Sequence, residues 1–268
     1  VNIVCFGAHP DDGEFFAGGT AIQWVKAGHR VLFVALTNGD IGHHEMAGGA
    51  LARIRAEECT AAARIGGYES RVLDNHDGEL QPTLALRKDI VRIIREQNAD
   101  VVLTHRANDY HPDHRYGAMA VQDAAYMVCV PNFCPDTPAL RKNPVFLYLM
   151  DQFQRPCPFR PDVAVAVDLV MPTKWALLDA MPSQMYEWLP WIDGRLEERP
   201  ADSAQWRAWM EAYWSPFFAR GAEIWRDALK TWYGPERAAK VRFAEFFEVC
   251  EYGHRPSQEE LRKLFPFG

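Results

Sequence analysis

A chain of 268 residues, 48% of them apolar, is long enough for one large domain with a packed core and too apolar to stay disordered. A formal net charge of -7 argues against a nucleic-acid binder held by phosphate contacts, and no apolar run approaches the roughly eighteen residues of a membrane span. The six cysteines are scattered without a C-x-x-C, which speaks against both a thiolate zinc site and a disulfide framework.

The chain opens on Ile3-Val4-Cys5-Phe6, an apolar run that predicts a first β-strand, and leaves it through Ala8-His9-Pro10-Asp11-Asp12-Gly13-Glu14. One imidazole and two adjacent carboxylates thus exit the carboxyl end of a strand together, where open α/β sheets place their chemistry. His9 and Asp12 suit a zinc-like metal, and Asp11 between them is free to act as a base. The plainer alternative is a Pro-Asp turn in which Asp11 or Asp12 caps the next helix. That helix is predicted over 15–27 and is closed by Gly28, with His29 idle in the turn after it.

Val31 to Leu36 is a continuous apolar strand, as expected for a sheet covered on both faces. It runs into Thr37-Asn38-Gly39-Asp40, and His43 and His44 are expected in a solvated loop beyond it. A helix over 50–65 carries Arg55, Glu57 and Glu58, which could simply lace an exposed face with charge pairs. Val72-Leu73 is a short strand, and Asp77-Gly78 by itself is only a turn. Leu86, Ile90, Val91 and Ile94 recur at helical spacing over 84–97.

The next strand, Val101 to Thr104, delivers His105 and then Asn108-Asp109-Tyr110-His111-Pro112-Asp113-His114. Two such clusters at two strand ends can converge on one crevice. His9, Asp12 and either His111 or His114 then supply two imidazoles and a carboxylate with room for water, the donor set of a catalytic zinc site. A helix over 116–128 completes the strand–helix alternation of a parallel, Rossmann-like sheet. No G-x-G-x-x-G follows the first strand, so a dinucleotide is not implied.

AHPDDGE followed about a hundred residues later by HPDH resembles the LmbE/PIG-L family of metal-dependent N-deacetylases. The resemblance implies that His9, Asp12 and His114 hold Zn2+ or another divalent ion and that Asp11 is the general base. It makes His111 the donor to the oxyanion, with Asp113 orienting His111 or a ligand histidine. It also makes Arg55, in an Arg-x-x-Glu helix, and Asp77 substrate-binding residues, the latter for sugar hydroxyls. The partner so implied is a small N-acetylated sugar or glycoconjugate. An amidase acting on a thiol-sugar conjugate or an antibiotic sugar, and a carbohydrate- or metal-binding relative without turnover, are the competing readings. A phosphoesterase is disfavoured because one metal's worth of ligands is visible and no phosphate-cradling glycine loop accompanies them.

Pro131, Pro135, Pro138 and Pro144 punctuate a loop before strands over 145–149 and 163–168. Lys174 and Ser183-Gln184 still resemble the family, whereas Met181 stands where its members often have histidine. Trp188, Trp191, Trp206, Trp209, Trp214, Trp225 and Trp232 crowd the following stretch. Helical spacing of Trp206, Trp209 and Tyr213 predicts that most pack inward, while the Pro-flanked Trp188-Leu189-Pro190-Trp191 is expected to overhang the crevice as a rigid loop. Alternation over 241–249 predicts a late strand, and Ser257 with Glu260 a capping box opening a final helix. The expected organisation is one domain: a core over 1–185, a Trp-rich helical elaboration over about 186–235, and a closing strand and helix over 240–268. Cytoplasmic location is expected, a homo-oligomer is compatible with the chain, and a start at Val1 rather than Met leaves room for a trimmed leader.

Overall fold

A computed structural model describes residues 1–267. Seven strands form one sheet: β1 (Asn2–Gly7), β2 (Arg30–Ala35), β3 (Glu69–Val72), β4 (Val101–Thr104), β5 (Val145–Leu149), β6 (Val163–Ala166) and β7 (Ala244–Gly253). Their spatial order is β3-β2-β1-β4-β5-β7-β6, and the first five pair in parallel. β7 runs antiparallel to both β5 and β6, so the last strand of the chain is inserted between two earlier ones. The fold is the expected α/β sheet flanked by helices.

The apolar strands are continuous because both faces are buried. Ile3, Cys5, Val31, Phe33, Val101 and Leu103 face one core layer, and Val4, Phe6, Leu32, Val34 and Val102 the other. The first layer is covered by α1 (Asp12–Lys26), α2 (Gly48–Gly66), α5 (Met171–Asp179) and the tryptophan-bearing helices; the second by α3 (Leu84–Glu96) and α4 (Pro112–Met127). β1 lies between β2 and β4, where the chain reverses its direction of strand addition. That topological switch opens a crevice at the carboxyl ends of β1 and β4, and both histidine motifs leave the sheet there.

The C-terminal part comprises a π-helical turn (Ser183–Trp188), α6 (Leu189–Ile192), α7 (Trp206–Ile224), α8 (Arg226–Tyr233), α9 (Pro235–Ala238) and α10 (Gln258–Leu264). Trp175, Trp214 and Trp232 are buried, and Trp206, Trp209 and Trp225 pack partly buried against the same core. Several boundaries differ from expectation. α1 starts at Asp12 rather than Phe15, β3 precedes Leu73, and β6 stops at Ala166 because Asp168 turns back to accept from Arg242 N and Phe243 N. The expected Trp188–Trp191 loop is helical: Pro190 falls in the first turn of α6, where its missing N–H costs nothing. Ser257 and Glu260 form the expected capping box at the start of α10.

One buried charge pair ties β7 to the first and fifth helices. Glu245 accepts from Gly19 N at 2.8 Å, Thr20 N at 2.7 Å and Lys174 Nζ at 2.7 Å, and Lys174 also donates to Phe15 O at 2.7 Å. Both side chains are essentially sealed from solvent. Glu245→Ala leaves an ammonium buried without its counter-charge and is expected to cost about 3–5 kcal/mol. A drop of that size in urea-unfolding free energy is the outcome to look for; a loss below about 1 kcal/mol would show that Lys174 finds water instead.

Candidate metal centre and active site

Donor atoms of three residues from the two motifs meet at the switch point. His114 Nε2 is 3.3 Å from His9 Nδ1 and 3.6 Å from Asp12 Oδ1, and His9 Nδ1 is 3.6 Å from Asp12 Oδ2. Tetrahedral bonds of about 2.0–2.1 Å place ligand atoms about 3.4 Å apart; the two imidazole nitrogens match that spacing, and each lies close to it from a different Asp12 oxygen. The far nitrogens support the same reading. His9 Nε2 lies 3.2 Å from Asp77 Oδ1 and 3.4 Å from Asp113 Oδ2, and His114 Nδ1 lies 3.1 Å from Asp109 Oδ2. A carboxylate behind each imidazole places its proton away from the cluster and leaves the facing nitrogen with a lone pair.

Three other groupings of possible ligands compete: Asp12, His105 and His114; His9, His111 and His114; and His9, Asp77 and Asp113, the last made by the far nitrogen of His9. His105, however, stacks face to face on His114, with ring centroids 3.9 Å apart and planes within 8°. In-plane lone pairs of parallel stacked rings run side by side and do not converge on one ion. His105 Nε2 instead faces Asp12 Oδ2 at 3.1 Å, which fits a residue that orients the carboxylate. His111 caps α4: its Nδ1 accepts from Asp113 N at 3.2 Å, so its proton resides on Nε2.

The electrostatics favour a positive charge here. Burial pushes the Asp12 carboxyl up, but His114 and His105 hold it well below the usual carboxylate range. Burial likewise disfavours charge on His9, yet Asp113, Asp12 and Asp77 raise its pKa well above that of ordinary imidazole. So many carboxylates around one imidazole create a potential that a proton or a metal ion relieves. His111 is lowered, first by burial and then by His9 and His114, and is therefore neutral at neutral pH.

Asp11 stands just outside this trio. It occupies the N-cap position of α1 but its side chain makes no cap bond; Asp12 Oδ2 instead accepts from His9 N at 2.8 Å. Asp11 Oδ1 lies 3.3 Å from Arg55 Nη2, and burial raises its carboxyl above the ordinary range while Arg55 opposes the shift. Gly7 makes the sharp exit possible, since a Cβ there would come within 2.6 Å of Asp12 Cβ. Asp113 accepts from Gly78 N at 2.6 Å and Leu80 N at 3.2 Å, holding the Asp77 loop against His9.

Arg55 and Asp77 are not placed as a substrate-facing pair on an open surface. Arg55 is 2% exposed and turned toward Asp11 and, at 3.8 Å, toward Asp77 Oδ2. Asp77 is also buried, with its other oxygen on His9. His43 departs from the expected solvated loop: it is buried, its Nδ1 accepts from Glu45 N and Met46 N, and its Nε2 donates to Glu187 at 2.8 Å. His105 and Asp109 went unassigned from sequence although both sit in or beside the second motif. Polar residues immediately after a buried strand were the available signal.

Glu14, the last residue of the first motif, is buried beneath α1 and accepts from Tyr68 Oη at 2.9 Å. Burial raises its pKa from 4.5 to about 7. The native state therefore binds more protons than the unfolded chain between these values, and stability falls as pH rises through that window. The full effect is on the order of 3 kcal/mol. Glu14→Gln keeps an acceptor for Tyr68 and removes the charge, so its urea midpoint is expected to gain on the unmodified protein between pH 4.5 and 7. Parallel pH profiles for the two proteins would refute the assignment.

The fold and this site define an α/β protein with a His/Asp metal-type centre at the sheet's switch point. Residues 4–125 match the family model described as PIG-L, GlcNAc-PI de-N-acetylase. The likeness to the PIG-L (LmbE-like) family rests on that segment, a little under half of the chain. It is 34% identical over 137 residues to the diacetylchitobiose deacetylase of Thermococcus kodakarensis, a match covering 49% of this chain and 51% of that protein. The chain thus spans about half the length of this curated relative. Among solved structures, the N,N'-diacetylchitobiose deacetylase of Pyrococcus horikoshii superposes with a TM-score of 0.71 at 22% identity, covering 92% of this chain and 83% of that one. GalB, the 4-carboxy-2-hydroxymuconate hydratase of Pseudomonas putida, gives a TM-score of 0.71 at 18% identity, covering 96% of this chain and 99% of that one. At these identities both likenesses speak to the fold.

Proposed function

We propose that the chain is a metal-dependent N-deacetylase that removes the acetyl group of an N-acetylglucosamine-type sugar or conjugate. The observation that carries the reading is the His9–Asp12–His114 trio, with the Asp11 carboxylate beside it and outside it. His9 Nδ1, Asp12 and His114 Nε2 would hold the ion, Zn2+ by donor type, with other divalent ions as alternatives. When bound, such an ion polarises an amide carbonyl and makes water a stronger nucleophile.

The chain's own groups do the rest. Asp11 takes a proton from the attacking water as its oxygen bonds to the carbonyl carbon. Arg55 keeps Asp11 fixed and outside the ligand set. His111, with its proton on Nε2, donates to the developing oxyanion. As the C–N bond breaks, Asp11 returns its proton to the departing nitrogen, and acetate and a free amine leave. Asp77, Asp113 and Asp109 hold the imidazoles by their far nitrogens.

A hydratase is the second reading, raised by the near-complete overlap with GalB. The same base and metal could add water across a double bond. The nearby guanidinium groups are already committed, Arg55 to Asp11 and Asp77 and Arg106 bidentately to Asp151, so they are not free to receive substrate carboxylates. A neutral sugar suits this carboxylate-lined crevice better. The deciding experiment incubates metal-loaded protein with N-acetylated sugars, glycoconjugates and unsaturated carboxylates. Acetate and primary amine released in equal amounts support the deacetylase; water addition without amine favours the hydratase.

A further inference from the structure

We propose that Gln184 is a positioning residue for the general base, holding the loop after β2 over Arg55 so that the guanidinium stays on Asp11, an inference that rests on the deacetylase reading for what Asp11 does. Arg55 is loosely bonded for a buried guanidinium. Its Nη2 lies 3.3 Å from Asp11 Oδ1 and 3.4 Å from Pro10 O, and its Nη1 lies 3.4 Å from Gly39 O and 3.8 Å from Asp77 Oδ2. Its Nε has no hydrogen-bond partner among the described residues. Arg106 is the contrast, since it grips Asp151 through two bonds of 2.6 Å. A bidentate pair fixes its own geometry. Arg55 has none, so its place depends on what packs around it.

That packing is backbone. A Cβ on Gly39 would lie 2.5 Å from Arg55 Nη1, and one on Gly42 2.9 Å from the same atom, so the loop closes directly onto the guanidinium. The base of the loop is tied to the 75–77 segment, through Asn38 N to Asn75 O at 2.8 Å and Asp77 N to Asp40 Oδ1 at 3.0 Å. Its tip is tied to the π-helical turn instead. Gln184 Nε2 donates to Gly42 O at 3.1 Å, and His43 Nε2 to Glu187 at 2.8 Å.

Of these two ties, Gln184 is the one that reaches Gly42, whose backbone meets the guanidinium. It is also the better anchored. Gln184 is buried, and its Nε2 donates a second bond to Ser183 Oγ at 3.2 Å. Glu58, one turn after Arg55 on α2, accepts from Ser183 N at 2.8 Å and from Ser183 Oγ at 2.6 Å. The contacts therefore close a ring. It leaves α2 at Arg55, crosses Gly42, Gln184 and Ser183, and returns to α2 at Glu58. A neutral amide suits the task, because it donates both bonds and adds no charge beside the Arg55–Asp11 pair. No hydrogen bond joins Gln184 to Asp11 or to the His9–Asp12–His114 trio among the described residues, so its influence passes through Arg55.

The test replaces Gln184 with Met, which keeps the side chain's length and removes its N–H groups. Arg55, 2% exposed, is expected to resist phenylglyoxal in the unmodified protein and to lose that protection in Gln184→Met, as mapped by peptide mass spectrometry. Metal-loaded Gln184→Met should release acetate from N-acetylglucosamine with kcat down about ten- to a hundredfold, KM unchanged and metal content intact. In an Arg55→Met background the same replacement should cost nothing further, because both changes act at one point. Gly42→Ala is the second variant: the added Cβ displaces the guanidinium with Gln184 intact, and should expose Arg55 and slow turnover in the same way. An unchanged kcat, an equal fall in both backgrounds, a loss of metal, or an Arg55 that stays protected in both variants would overturn the proposal. Protection is read without turnover. Exposure of Arg55 in the variants, with no acetate from the unmodified protein, would sink the deacetylase and leave Gln184 as the residue that holds Arg55 on Asp11.

Discussion

Asp11→Asn is expected to retain a full complement of metal and to lose about two to four decades in kcat, the usual contribution of a positioned general base. The substitution conserves volume and one acceptor oxygen facing Arg55, so the crevice should keep its shape. What it removes is the ability to hold a proton between water attack and amine departure. Arg55 lies 3.3 Å from Asp11 and would otherwise favour a permanently ionised, inert carboxylate; burial pushes the other way and raises the group above its ordinary range. The balance leaves a carboxylate able to accept a proton and return it. Metal analysis by mass spectrometry alongside initial rates separates this role from ligation. Loss of metal would place Asp11 among the ligands, and a near-normal rate would remove it from the chemistry.

Much of this site was legible because it is local. His9, Pro10, Asp11 and Asp12 leave one strand within four positions, and a strand end fixes where they go. The second motif reads the same way, with Pro112 and His114 both in the first turn of α4. The alternative reading of Asp11 as a helix cap was reasonable: it does sit at that position, but its side chain makes no cap bond and faces Arg55 instead. The parallel half of the sheet was legible from uninterrupted apolar runs. The place of β7 was not, because alternation over 241–249 indicates a strand but not its partners, and these lie on β5 and β6 about a hundred residues earlier.

What the sequence hid is tertiary. The burial of His43 depends on Glu187, 144 positions later, and nothing in the run Gly42-His43-His44-Glu45 signals that partner. Arg55 looks like one member of a charged helix face until the loops carrying Gly39 and Asp77 close over it. Pro190 suggested a loop because proline usually punctuates; at the start of α6 it is tolerated, and the segment continues the π-helical turn. His105 gave no periodic signal, being a single residue between a strand and a turn. Its stacking on His114 arises because β4 ends beside the first turn of α4.

His105 also provides the sharpest test of the ligand set. If His9, Asp12 and His114 hold the ion, replacing any one of them by Ala should leave the purified protein with little metal and no measurable turnover, since two remaining donors rarely retain a divalent ion against buffer. His105→Phe should behave differently. It keeps the ring that stacks on His114 but removes the nitrogen 3.1 Å from Asp12 Oδ2. Losing a group that orients a ligand typically weakens metal affinity about 10–100-fold without abolishing it. Competition against a chelator of known strength therefore distinguishes the two arrangements. A weakened but stoichiometric site in His105→Phe supports the proposed trio. An empty site in His105→Phe, together with a filled one in His9→Ala, would move the ion to the Asp12, His105 and His114 grouping. Asp11 would then need a new role, because its relation to His9 would no longer place it beside the reacting water.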